Sequence, residues 1–156
     1  MGVMLAVMLA MLISLAGGAP VGAVDAPQGM YTPDSIKWGD VPPNFPKGAK
    51  LAVLYGDPTK DGLFVVRVRL PANYKIPAHS HPTDEIVTVL SGTFMVGMGD
   101  KLAPKAVKGF PTGSTVVAPA NANHFAMTRQ PVVIEISGMG PLAINYVNPA
   151  DDPSKK

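Results

Sequence analysis

From residue 51 to residue 147 the chain is a succession of short apolar runs of period two, broken at close intervals by glycine and proline. Over 63–70, Phe64, Val66, Val68 and Leu70 fall on one face and Leu63, Val65, Arg67 and Arg69 on the other. Over 85–91, Glu85, Val87 and Val89 share a face opposite Ile86, Thr88 and Leu90. That alternation is the mark of a strand with one side against a core. Strands are expected at 51–55, 63–70, 85–91, 93–97, 114–118, 124–128, 132–137 and 144–147. Turns are expected at Gly56-Asp57-Pro58, Asp61-Gly62 and 119–123. The strand at 93–97 is expected to fold back on its predecessor through Ser91-Gly92, and 100–109 to be a lysine-bearing loop. No internal repeat or amphipathic helix is evident. Short strands with turn residues between them predict one all-β barrel or sandwich.

One stretch carries more than packing. Residues 77–92 read Pro-Ala-His-Ser-His-Pro-Thr-Asp-Glu-Ile-Val-Thr-Val-Leu-Ser-Gly. On a strand His79 and His81 project to the same side with Cα atoms roughly 6.6 Å apart, within reach of one ion. On a helix they would diverge by about 200°. Pro77 and Pro82 oppose a helix as well, since each lacks an N–H and drives its predecessor toward extended backbone. Glu85 would lie roughly 13 Å beyond His81 on a straight strand, so the chain must bend at Pro82-Thr83-Asp84 for it to share the site. Asp84 should point away, with the alternative of accepting an imidazole N–H. Only three histidines exist in the chain, and the third is His124.

These residues resemble the cupin superfamily, whose two motifs read G-x5-H-x-H-x3,4-E-x6-G and G-x5-P-x-G-x2-H-x3-N. His79, His81, Glu85 and Gly92 match the first, and Gly113, Pro119 and His124 the second. Asn73 and Asn121 stand where the motifs have Gly, and Thr128 where the second ends in Asn. Asn accepts positive φ better than most non-glycine residues. The resemblance covers roughly residues 50 to 147. It implies a single cupin (double-stranded β-helix, or jelly-roll) barrel over 51–147, with His79, His81, Glu85 and His124 as ligands of a divalent transition metal. It also implies a homodimer, because cupins often pair through sheet edges and N-terminal arms.

Nitrogen and oxygen donors without sulfur suit Fe, Mn, Ni, Cu or Zn alike. The chain has no cysteine, which excludes thiolate ligation and disulfides. Three neutral imidazoles and one carboxylate leave a divalent site near +1, favouring a small anionic or chelating ligand. With octahedral geometry two positions stay open. The expected function is an enzyme acting on a small oxygenated organic molecule, of dioxygenase, isomerase or lyase type. No further histidine is available as general base, so Glu85 is the candidate catalytic residue as well as a ligand, with Tyr55, Tyr74 and Tyr146 as weaker donors. The rival reading is a non-catalytic module that binds or senses a metal or small ligand. A filled, structural metal shell is a third.

The remaining segments set the context. Residues 1–24 carry no charged side chain, and an apolar run over 3–15 is followed by small residues. This resembles a signal peptide over 1–23 cleaved after Ala23, hence a periplasmic or secreted protein without stable membrane insertion; an uncleaved anchor is the alternative. Residues 24–50, rich in Pro, Gly and Asp, should form an extended arm over the barrel, with Ile36 and Trp38 on one side of a short strand. Residues 148–156 are a polar tail expected to be disordered. The 13 basic and 11 acidic residues give a net charge of +2 and no dense basic field, with Lys101, Lys105 and Lys108 the one local cluster, so nucleic acid is not an expected partner. Arg67 and Arg69 are read as an exposed sheet face, with an anion-binding pair as the alternative. Glu135 is read as facing water, and Met30, Met95, Met98, Met127 and Met139 as core filler.

Overall fold

The structure is a computed structural model and describes residues 29–156. The expected leader and its cleavage site lie outside the described residues. Two antiparallel sheets face each other. One runs in the order β1 (Gly39–Asp40), β2 (Lys50–Tyr55), β3 (Gly62–Leu70), β10 (Val132–Gly140), β5 (Glu85–Ser91), β8 (Thr115–Ala118). The other runs β11 (Asn145–Tyr146), β4 (Lys75–Ser80), β9 (His124–Met127), β6 (Thr93–Met98), β7 (Lys108–Pro111). Most consecutive strands lie in opposite sheets, which is the winding of a jelly roll.

The alternation read from 63–70 and 85–91 decides what the sheets enclose. Phe64, Val66, Val68 and Leu70 are at most 2% exposed, and they pack with Val87, Val89, Ile134 and Ile136 and with Ile76, Phe94, Val96 and Ala126 of the other sheet. Burying each larger apolar side chain contributes about 1.5–3 kcal/mol. On the outer face of the second sheet, Phe125 is also buried because its ring lies over Gly97, where a Cβ would sit 2.4 Å from it.

Several local expectations are corrected. The strand at 93–97 does not pair with β5; it pairs with β7 and β9, and the chain changes sheet at Ser91-Gly92. Gly92 makes that corner with φ +80°, and a Cβ there would lie 2.7 Å from the Pro131 carbonyl oxygen. Gly92→Ala is therefore expected to destabilise the protein by about 1–3 kcal/mol, read as a lower urea midpoint; an unchanged midpoint would show that the corner tolerates a side chain. The loop expected at 100–109 gives way to β7 from Lys108. In the arm, regular pairing begins only at Gly39, after Ile36, which is buried, and Trp38, which lies beneath the Arg69 guanidinium at 4.0 Å. Arg67 is not half of an anion site: its Nε binds Glu135 Oε2 at 2.8 Å, so Glu135 is ion-paired across β3 and β10. Met30, Met98 and Met139 are exposed and fill no core. The tail forms two single-turn 3-10 helices, Pro149–Asp151 and Pro153–Lys155, capped by the side chains of Asn148 and Asp152.

Candidate metal centre

Strand β4 carries a small irregularity that aims the site. Lys75 and Ile76 pair with Met127 and Ala126, but His79, rather than Ala78, pairs with His124. One extra residue is accommodated in β4 next to Pro77, which has no N–H to give the ladder. The bulge shifts the alternation by one position. Ile76 faces the cavity before it, and His79 and His81 face the cavity after it. With an unbroken period of two, Ile76 inside would put His79 outside.

The bend expected at Pro82-Thr83-Asp84 is present and begins β5 at Glu85. Asp84 does not bind an imidazole; its Oδ1 accepts the Ala120 N–H at 2.8 Å and ties the bend to the turn before His124. In that turn Asn121 has φ +61°, and Asn73, before β4, has φ +58°. Both asparagines that replace motif glycines thus take the left-handed backbone such positions require. Thr128, fully buried at the position of the motif Asn, donates its hydroxyl to the Pro71 carbonyl at 2.6 Å and accepts the Tyr74 N–H at 3.0 Å.

The three imidazoles converge. One nitrogen from each ring lies within 4.8 Å of the other two, far inside the 8 Å or so beyond which a common ligand fails. Glu85 faces them, with Oε1 3.6 Å from His81 Nε2 and Oε2 3.6 Å from His124 Nε2. All four side chains are buried to about nine-tenths or more. Each Nδ1–H donates to a backbone carbonyl: His79 to Pro77 at 2.7 Å, His81 to Ala143 at 2.7 Å and His124 to Ala122 at 3.0 Å. Those bonds set the tautomer and leave Nε2 as the free base on each ring. His81 Nε2 is buried without a hydrogen-bond partner, which is the condition of a ligand atom more than of a packed core residue.

The electrostatics fit a cation. Burial, then the neighbouring rings of His124 and His81, push the His79 pKa down to about 3, so its imidazole is neutral and its lone pair available. Burial opposes ionisation of Glu85, but the contact with His124 and the fields of the three imidazoles outweigh it and hold the carboxyl below its usual range. Burial likewise opposes charge on His124, and Glu85 with the Ala122 carbonyl reverses that and raises it. Imidazole nitrogens around an ionised carboxylate are a hard-to-borderline donor set for a divalent metal.

Two further residues border the site without a signal in the motifs. Phe45, from the arm, lines the same cavity as the imidazoles together with Val68, Ile76, Val87, Phe94 and Ile134. Tyr146 on β11 lies opposite His79, with ring centroids 6.0 Å apart. The tyrosines named as alternative donors are otherwise engaged: Tyr146 donates to the Asn44 carbonyl at 2.9 Å and Tyr74 to the Pro46 carbonyl, while Tyr55 is exposed. Burial, with Asp152 and Asp151 nearby, pushes the Tyr146 hydroxyl up to about 12.

A jelly roll closed around three inward histidines and an inward glutamate defines the cupin class, and structural neighbours share that architecture. The chain belongs to the ChrR cupin-like domain family, whose profile matches residues 27–143. No curated protein matches it in sequence. Among solved structures it is similar to the polyketide cyclase RemF from Streptomyces resistomycificus, with TM-score 0.66 and 16% identity over 82% of this chain and 91% of that one. An RmlC-like cupin from Shewanella frigidimarina gives TM-score 0.55 and 15% identity over 72% and 90%. The DMSP lyase DddQ from Ruegeria pomeroyi gives 0.54 and 20% over 74% and 68%.

Proposed function

We propose that this protein is an exported cupin that binds one divalent transition metal through His79, His81, Glu85 and His124 and acts on a small oxygenated organic molecule. The observation that carries the reading is the set of three buried ring nitrogens within 4.8 Å of one another, each with its opposite nitrogen committed to a carbonyl. Such a metal supplies Lewis-acid polarisation of an oxygen or, if redox active, a centre for O2 chemistry. The chain's own part is to hold the donors and to provide a base. Among the described residues Glu85 is the one carboxylate lining the cavity with the imidazoles, and with Tyr74 and Tyr146 donating to the arm it is the candidate to take a substrate proton. Apolar walls exclude bulk water around it. The similar folds include a polyketide cyclase and a DMSP lyase, so architecture alone does not choose the reaction. Export is supported by the uncharged apolar run at the N-terminus, and pairing of two chains by the class resemblance.

A second reading, a module that holds a metal or small ligand without turnover, is favoured by one feature. The cavity beside the imidazoles has a volume of only about 30 Å3, room for a water or two. Elemental analysis of protein purified without a histidine tag should find close to one transition-metal ion per chain. If dialysis against each of the five candidate metals leaves the protein without bound metal, the proposal fails. With the native metal identified, hydroxy acids, diketones and phenols are assayed for consumption; tight binding without loss of ligand would select the second reading.

A further inference from the structure

Asp40 and Lys50 pair at the end of the β1–β2 ladder, and the nine residues between them form an unpaired connection that reaches the cavity at Phe45. Their sequence is Val-Pro-Pro-Asn-Phe-Pro-Lys-Gly-Ala, and three prolines remove three backbone donors. Among the described residues Phe45 is the part of the arm that lines the cavity; the other lining residues come from the barrel strands, apart from His81, which directly follows β4. Phe45 is 7% exposed. Side chains hold the backbone on either side of it. Tyr146 donates to the carbonyl of Asn44 and Tyr74 to that of Pro46, so each flanking residue is tied by one hydroxyl. Tyr146 in turn lies opposite His79. The remaining local bond is the Phe45 N–H to the Pro42 carbonyl at 2.9 Å, which closes a turn within the strap itself.

Two conditions meet here. The cavity as lined by Phe45 has room for a ligand of only a few heavy atoms, and most of the barrel walls that complete it belong to strand ladders that cannot yield cheaply. Phe45 is the wall carried by the arm between β1 and β2, outside any strand ladder. We infer that the strap at 41–49 is the gate of the metal site, with Phe45 its removable plug and the Tyr74 and Tyr146 hydroxyls its latches, and that Phe45 sets the size of ligand admitted. A ligand that fits only the open arrangement would draw the strap toward it in proportion to its preference for that state.

Since the gate rests on the metal site proposed above, it is tested in two arms that fail separately. In the first, the protein is loaded with Co(II), and acetate and benzoate are titrated against its visible bands. The native protein should bind acetate at least about tenfold better than benzoate, Phe45→Ala should remove about tenfold of that preference, and Phe45→Leu should fall between. An unchanged acetate-to-benzoate ratio in both variants, with Co(II) bound and the far-ultraviolet circular dichroism native, overturns the inference. In the second arm, amide hydrogen exchange of metal-free protein needs no ligand at all. The Phe45 amide should exchange more than about 100-fold faster than the central amides of β3, reporting local opening. Tyr146→Phe should speed it about fivefold further, the loss of one hydrogen bond. Protection of the Phe45 amide equal to that of β3 overturns the gate. Failure of Co(II) to bind counts against the metal reading, and the exchange arm then decides the strap alone.

Discussion

His79→Ala is expected to weaken metal binding more than about 100-fold, measured by competition with a chromogenic chelator, because removing a single outer hydrogen-bond partner of a ligand already costs 10- to 100-fold and here a donor itself is lost. The His79 ring sits 4.3 Å from that of His124 and 5.0 Å from that of His81, centroid to centroid, so its loss removes one of three converging donors. The same change should affect the metal-free protein far less. His79 is neutral when folded, and its loss leaves the Pro77 carbonyl without its partner, a penalty of about 1–3 kcal/mol. A variant that keeps native metal affinity would remove the foundation of the proposed function.

The largest loss of stability is expected from Phe64→Ala, at about 3–5 kcal/mol, or a fall in melting temperature of about 10 °C. Phe64 is 1% exposed and pairs across β3 and β10 with Gly138. A Cβ at Gly138 would lie 3.5 Å from the Phe64 ring, and 2.8 Å from the Asp84 carbonyl oxygen. Gly138 therefore has no side chain that could swing into the space vacated by the ring, and the adjacent bend cannot collapse inward without moving Glu85. A loss under about 1 kcal/mol in denaturant titration would mean that the two sheets close over the cavity.

Legibility in the sequence follows from which kind of atom does the work. Side-chain alternation marked β3 and β5 and the buried rows they contribute, because burial acts on side chains that the sequence spells out. The spacing of His79, His81, Glu85 and His124 marked the cluster for the same reason. Periodicity is blind to which sheet a strand joins, so it predicts β6 beside β5 although a left-handed glycine sends it across. Strand β7, Lys-Gly-Phe-Pro, has almost no intrinsic preference for extended structure and exists because β6 offers it a partner. Backbone acceptors leave no sequence signal at all: the Ala143 carbonyl, 62 residues from His81, fixes that ring, and nothing about alanine announces it. Phe45 lies in a proline-rich stretch without periodicity, where burial cannot be read from pattern.

The extra residue beside Pro77 means that core and chemistry on β4 are written in opposite phase. Sliding the strand by one residue could not rescue a damaged site, since any slip that turned other side chains toward the cavity would expel Ile76 or the two imidazoles. Loss-of-function substitutions here should therefore leave a folded, inert barrel in preference to a rewired one, and donors for a different ion would have to be changed in place, one side chain at a time.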